Sequence, residues 1–170
     1  IILIVVAAGV GAWWYSSNRE AADSVGLVMF VDRNVPPEHQ ARLTADIARM
    51  QSEIGERVGD KKSMEDLNRW INIGNLYFVL GNLREARATL REAVELNAVN
   101  YVAWGNLGDV LVEMGDLDAA RAAYQQAVEL SNLVGYVLKY GHLLRAKFPN
   151  DPDEYERVLL GAVATRGQEQ

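Results

Sequence analysis

The sequence has no cysteine and only two histidines, and these absences remove several classes of site. Without cysteine the chain has no disulfide framework, no thiolate nucleophile and no cysteine-type zinc site. His39 and His142 stand far apart, and neither belongs to a paired spacing such as H-E-x-x-H. We therefore expect no metal site.

Clustered basic residues and catalytic signatures are also missing. Lys and Arg number 17 against 23 Asp and Glu, a formal net charge of −6. Nucleic-acid binding relies on clustered Lys and Arg that neutralise phosphates, so we expect no nucleic-acid partner. The sequence contains no Ser-His-Asp set with a local signature, and GVGAWW lacks the third glycine of a dinucleotide fingerprint. We expect a protein that is not an enzyme and uses no cofactor.

Charge is absent before Arg19, and residues 1–15 read IILIVVAAGVGAWWY. Fifteen helical residues extend about 22 Å, which is shorter than the hydrocarbon core of a bilayer, about 30 Å. The run could therefore also be the core of a signal peptide or a buried helix of a soluble domain. A first residue other than Met suits a fragment, and no A-x-A-like cleavage site follows the run. We predict a transmembrane helix over 1–18, truncated at its N-terminus and contacting lipid through residues 1–15. Its interfacial aromatic residues are Trp13, Trp14 and Tyr15.

Small residues and flanking charge give this span further expected properties. The flank carries Arg19 against Glu20 and Asp23, unlike a positive cytoplasmic flank. We predict a single-pass protein of a bacterial inner membrane, with the rest of the chain on the non-cytoplasmic, periplasmic side. Small residues at four-residue spacing would let another transmembrane helix approach closely. They are Ala7, Ala8, Gly11 and Ala12.

An internal repeat with a period of 34 residues dominates the remaining chain. WINIGNLYFVLGNLREARATLREAVEL, from Trp70, aligns with WGNLGDVLVEMGDLDAARAAYQQAVEL, from Trp104. Apolar residues at three- and four-residue steps predict a helix in each copy. We expect Gly81 to end the first helix in a left-handed conformation, and Asn82 with Glu85 to cap the next. Each copy is therefore predicted to be a helical hairpin.

Each copy begins with the pattern W-x2-[IL]-G-x2-[YL]. A small residue, then an aromatic residue or leucine, and then an alanine follow in its second helix. These residue types at this spacing resemble the tetratricopeptide repeat. A degraded third copy keeps Tyr140, Gly141 and Leu144. The resemblance implies an all-α solenoid of helical hairpins over 67–166, with about three repeats at about 67–100, 101–133 and 134–166.

Two segments precede the predicted solenoid. Residues 37–60 place Leu43, Ile47, Met50 and Ile54 on one stripe, which predicts an N-terminal helix packed on the first repeat. Residues 19–36 are a predicted linker. Its part VGLVMFVDRNVPP is a helix extension, a docked strand or an interfacial segment.

The resemblance also implies a binding groove lined by the first helix of each hairpin. Members that bind a peptide carboxylate use a clamp of asparagines and cations, and Asn75, Asn106 and Lys139 match part of it, whereas Ile71 stands where a cation is usual. We predict a membrane-tethered adaptor or assembly factor that binds a peptide or protein segment in this groove. The alternative is a permanent structural accessory subunit of a larger membrane complex. The candidate groove residues, expected to face outward together with Gly105, are Asn68, Ile71, Asn72, Asn75, Phe78, Val102, Asn106, Asp109, Glu113, Lys139 and His142.

Overall fold

The computed structural model describes residues 27–55, 64–131, 133–150 and 152–166, which form seven α-helices and one extended segment. Each helix packs against the next one along the chain, so that α2 with α3, α4 with α5 and α6 with α7 form three hairpins. The predicted all-α helical repeat fold is therefore confirmed. The helices are α1 (Pro37–Gly55), α2 (Met64–Val79), α3 (Leu83–Leu96), α4 (Tyr101–Met114), α5 (Leu117–Ser131), α6 (Val134–Lys147) and α7 (Pro152–Arg166).

The predicted membrane span lies outside the described residues. This applies to all of 1–18, including the small and aromatic residues named for it, and to the first part of the linker. Among the helices in the described ranges, none combines the length and the apolar character needed to cross a membrane.

The hairpin turns have the local chemistry that the sequence predicts. Gly81 and Gly115 both adopt positive φ, +76° and +85°, which glycine takes without steric cost. The side chain of Asn82 accepts a hydrogen bond from the amide of Glu85 at 3.4 Å, as the predicted cap requires. Asn100 caps α4 in the same way, through the amide of Ala103 at 2.9 Å. The helix ends are thus set by short-range interactions.

Close packing inside each of the first two hairpins depends on a glycine opposite a large side chain. A Cβ atom on Gly74 would lie 2.6 Å from Leu90, and one on Gly108 would lie 2.7 Å from the ring of Tyr124. Leu90 and Tyr124 therefore fill the space between the paired helices. Trp104 is 1% exposed, and its indole N–H donates to the carbonyl of Ala98 at 2.9 Å, which satisfies the one polar atom of that side chain.

The third hairpin is attached through a buried carboxylate on α7. Glu154 is 6% exposed and accepts hydrogen bonds from Arg121 on α5 and from the hydroxyl of Tyr140 on α6. The guanidinium of Arg121 also lies over the ring of Phe148, 4.9 Å from its centroid. We call the hydrogen-bonded residues Glu154, Arg121 and Tyr140 the α5–α7 cluster. It joins three helices and compensates the cost of burying the charge.

On the other side of the solenoid, α1 packs against α2. Ile47 is buried, and Leu43, Met50 and Ile54, which share its predicted stripe, are partly buried. Arg69 on α2 donates to Glu53 on α1 at 2.9 Å, and this hydrogen bond lowers the pKa of Glu53 and raises the pKa of Arg69. The part of predicted helix 37–60 beyond Gly55 lies outside the described residues.

An extended segment at residues 27–34, which we call the strap, runs across the turns of the first two hairpins. The amide of Val28 donates to the carbonyl of Met114 at 3.0 Å, and that of Val31 donates to the carbonyl of Gly81 at 2.9 Å. Phe30 forms an isolated antiparallel bridge with Asn82. Within the described residues, this part of the linker is therefore an extended segment docked on the hairpin turns and not a helix extension.

Candidate functional site

The predicted groove residues lie on α2, α4 and α6, the first helices of the three hairpins. Asn68, Asn72 and His142 are exposed, and the side chain of Lys139 is 46% exposed. We call the surface formed by these helices the groove face. Six further candidate groove residues on this face are partly exposed, namely Asn75, Phe78, Val102, Asn106, Asp109 and Glu113.

Two asparagines on neighbouring hairpins meet on the groove face. The side-chain amide nitrogen of Asn106 on α4 donates to the side-chain oxygen of Asn75 on α2 at 2.9 Å. This bond orients the two amides, and Asn75 keeps an Nδ2 donor while Asn106 keeps an Oδ1 acceptor. A donor and an acceptor held side by side match the N–H and C=O groups of an extended peptide backbone.

Asp109 is held by groups from two other helices. The hydroxyl of Tyr124 on α5 donates to one carboxylate oxygen at 2.6 Å, and Lys139 on α6 pairs with the other at 2.5 Å. Burial, and secondly the hydrogen bond to Asp109, raise the pKa of Tyr124 well above its usual range. Burial and the same carboxylate also raise the pKa of Tyr136. The carboxylate of Asp109 thus organises this part of the groove face while its charge is balanced by Lys139.

Glu113 and Phe78 are contacted by the strap. The guanidinium of Arg33 pairs with the carboxylate of Glu113 at 2.5 Å and lies over the ring of Phe78, 4.5 Å from its centroid. The two acidic residues of the groove face, Asp109 and Glu113, therefore each have a cation of the same chain beside them.

Two positions expected to face outward are buried, so the prediction of their orientation is wrong. Ile71 is 7% exposed and belongs to the hydrophobic core, because α2 packs against α1, α3 and α4. Gly105 is buried beneath the ring of Tyr136, and a Cβ atom there would lie 2.0 Å from a ring carbon. Ile71 consequently offers a ligand little surface, and no charged side chain stands at its position in the carboxylate clamp.

Sequence reasoning missed the aromatic residues and the arginine that complete this surface. Tyr136 lies 6.1 Å from Tyr101 in an edge-to-face arrangement and 5.8 Å from the ammonium of Lys139. Arg33 lies in the linker, 80 positions from the glutamate that it binds. The period of 34 residues relates Tyr136 to a candidate groove position of the preceding copy, so the repeat itself would have indicated this tyrosine. No local signal in the sequence connects Arg33 to Glu113.

No group of three His, Asp or Glu side chains that could hold a metal ion occurs in the parts of the chain that the structure describes. The acidic side chains of the groove face are instead used in the pairs described above. The absence of a metal or cofactor in the full chain stays a prediction.

Comparison with known proteins defines the class of the repeated region. Residues 71–133, a range that begins within α2 and ends after α5, match the family model described as tetratricopeptide repeat. A solved structure titled "Crystal structure of MamA protein" is similar to this chain, with 21% sequence identity and a TM-score of 0.60. The similarity covers 74% of this chain and 67% of that one. At this identity the likeness establishes the fold, and no curated protein matches the chain.

Proposed function

We propose that this chain is a membrane-tethered protein–protein interaction module, an adaptor or assembly factor, whose groove face binds an extended segment of a partner protein. Tetratricopeptide repeats typically serve as interaction modules. The observation that carries the proposal is the bonded pair of Asn75 and Asn106, which presents an oriented donor and acceptor at the junction of two hairpins. No catalytic step is assigned to the chain.

The groove face suits a ligand that is neutral or basic. Asp109 and Glu113 each already pair with a cation of the same chain, and of the clamp cations only Lys139 has a counterpart among the matched positions, so the groove face offers a terminal carboxylate little positive charge. Lys139 is itself paired with Asp109 at 2.5 Å, so its charge is largely committed. We therefore propose recognition of a peptide backbone within a segment, not of a C-terminal carboxylate.

Replacing both Asn75 and Asn106 by alanine tests this proposal. We expect partner binding to weaken by at least about tenfold, since each hydrogen bond is worth about 1 kcal/mol. The partner is obtained by crosslinking in the native membrane, and its affinity is measured with the purified chain. Glu92→Ala, at an exposed position of α3 on the second helix of a hairpin, is the matched control and leaves affinity unchanged. Unaltered binding by the double variant would refute a role for the groove face.

The membrane tether is part of the same proposal. It is supported by the uncharged run at 1–15 and by the aromatic residues at its end, and the orientation on the periplasmic side of a bacterial inner membrane is supported by the flank after Arg19. We expect the full chain to remain in membranes after alkaline carbonate extraction and a variant lacking residues 1–18 to be released. External protease should cleave the repeats in spheroplasts. Release of the full chain by carbonate would refute the tether.

A permanent accessory subunit of a membrane complex is the second candidate. It is favoured by exposed apolar side chains on the third hairpin, where Leu160 is 60% exposed and Leu138 is half exposed, and by Leu133 directly before it, which is about half exposed. Purification in mild detergent separates the two functions. A stoichiometric partner that survives high salt supports the subunit, whereas a free chain that captures peptides supports the adaptor.

A further inference from the structure

The strap covers a strip of surface that has the properties of a peptide-binding site in its own right. We infer that this strip, which we call the strap site, is an exchangeable docking site for an extended segment of another polypeptide. The segment carries apolar side chains at alternate positions followed by an arginine, and the chain's own strap occupies the site in cis. The strap site consists of Phe78, Gly81, Arg84, Glu113 and Met114.

The hairpin turns supply the backbone part of the recognition. Gly81 and Met114 offer carbonyls to the strap, and the amide of Arg84 donates to the carbonyl of Met29 at 3.2 Å. Gly81 lets the strap approach closely, because a Cβ atom there would lie 1.8 Å from the carbonyl oxygen of Val31. These bonds involve only main-chain atoms of the strap, so another extended segment can form them equally well.

The side chains of the strap alternate between the protein and solvent. Leu27, Met29 and Val31 are partly buried against the hydrophobic core, whereas Val28 and Phe30 are exposed, Phe30 to 62%. This two-residue alternation is that of a β-strand lying on a surface. It defines a ligand pattern with apolar side chains at every second position.

The arginine position is the most selective part of the strap site. The guanidinium of Arg33 contacts both the carboxylate of Glu113 and the face of Phe78, at 2.5 Å and 4.5 Å. A planar guanidinium can stack and form hydrogen bonds at the same time, whereas an ammonium is a strongly hydrated point charge. The strap site should therefore prefer arginine to lysine.

Several features allow the strap to leave without unfolding α1. The side chains of Arg33 and Glu113 are 28% and 33% exposed, so water can reach their ion pair. Directly after Arg33 the chain turns at Asn34, whose φ of 50° is uncommon outside glycine, and α1 then begins at Pro37. The strap and α1 are thus separate attachments joined by a turn.

A disulfide that locks the strap provides the test, since the chain has no cysteine of its own. The amide of Val31 bonds the carbonyl of Gly81, so Phe30 and Asn82 form a non-hydrogen-bonded antiparallel pair. The Cα atoms of such pairs are about 4.5 Å apart, within the disulfide range of about 4.4–6.8 Å. The acceptor is the full chain with Phe30→Cys, Asn82→Cys and Arg33→Ala. The probe is a fluorescent peptide of the strap sequence, LVMFVDRN, with a polar tag.

We expect the reduced acceptor to bind the probe, and the oxidised acceptor to bind it at least about tenfold more weakly. Restoring Arg33 in the reduced acceptor should also weaken binding by about tenfold, because the cis strap then competes at an effective concentration in the millimolar range. Replacing the arginine of the probe by alanine should weaken binding by a similar factor, because the probe then lacks the guanidinium that contacts Glu113 and Phe78. Asn82→Cys removes a helix cap in both redox forms, so the comparison is matched.

Three results would overturn the inference: no saturable binding to the reduced acceptor, equal binding to both redox forms, or binding that ignores the arginine of the probe. Equal binding places the peptide elsewhere on the chain and leaves the proposed function of the groove face untouched. Conversely, the Asn75→Ala and Asn106→Ala double variant should bind the probe normally, which separates failure of one proposal from failure of the other.

Discussion

Replacing Gly81 or Gly115 by alanine measures how firmly the strap is docked, because both glycines end a first helix with positive φ but only Gly81 lies under the strap. An alanine in the left-handed region costs about 1–2 kcal/mol, and we expect this cost in both variants. At Gly81 the new Cβ would also collide with the carbonyl of Val31, whereas at Gly115 it meets nothing within 4 Å. The strap must therefore move in Gly81→Ala, which loses its hydrogen bonds to the turn, worth about 1 kcal/mol each.

We expect Gly81→Ala to lower the free energy of unfolding by roughly 2 kcal/mol more than Gly115→Ala, for the two bonds made by Val31 and Arg84. Urea denaturation followed by tryptophan fluorescence gives the two free energies. Amide hydrogen exchange at Val31 should accelerate strongly in Gly81→Ala and stay unchanged in Gly115→Ala. Equal destabilisation within about 0.5 kcal/mol, together with an equally protected Val31 amide, would refute the packing of the strap described above.

Three further changes test the interior. Glu154→Gln removes the buried negative charge of the α5–α7 cluster and should cost about 2–3 kcal/mol in urea denaturation. Glu156→Gln, at an exposed position of the same helix, should stay within about 0.5 kcal/mol, and equal effects would contradict the cluster. The folded state raises the pKa of Tyr124, so the folded chain keeps a proton that the unfolded chain loses, and stability should fall as pH rises above about 10. Tyr124→Phe should make that fall shallower, and an unchanged slope of unfolding midpoint against pH would argue against it. Gly108→Ala should destabilise by about 1–3 kcal/mol through overlap with a tyrosine ring, while Gly135→Ala, which meets open space, should stabilise by about 0.5 kcal/mol; shifts of the same sign in thermal unfolding would be inconsistent with this packing.

The hairpins could be predicted from the sequence because their determinants are local. Gly81 and Asn82 specify a turn through their own backbone and cap, and the period of 34 residues places Gly108 and Tyr124 as it places Gly74 and Leu90. The pattern of one copy therefore predicts the packing of the other. Because the same local pattern occurs twice, the hairpin fold could be predicted without knowledge of contacts between distant residues.

The strap and part of the groove face could not be predicted, because they depend on contacts between distant parts of the chain. Residues 27–31 are uniformly apolar, so the sequence contains no alternation that would indicate which side chains face the protein. The helical pattern placed Ile71 on the outer side of α2, but that helix has three helical neighbours and little free surface there. Likewise, Gly105 is covered by a tyrosine from the following hairpin. Such contacts between hairpins are invisible to a pattern within one repeat.

The bond between Val28 and Met114 has a consequence for the order of events during synthesis. Repeat hairpins form from contacts with their neighbours, so each can fold soon after it leaves the ribosome. The acceptor of the Val28 amide, however, lies 86 positions further along the chain. At a translation rate of about 5–20 residues per second, the strap waits roughly 4–17 s for its complete docking surface. Through that interval its apolar side chains are open to chaperones and to any other binding partner, and the third hairpin is synthesised only after the docking surface of the strap is complete.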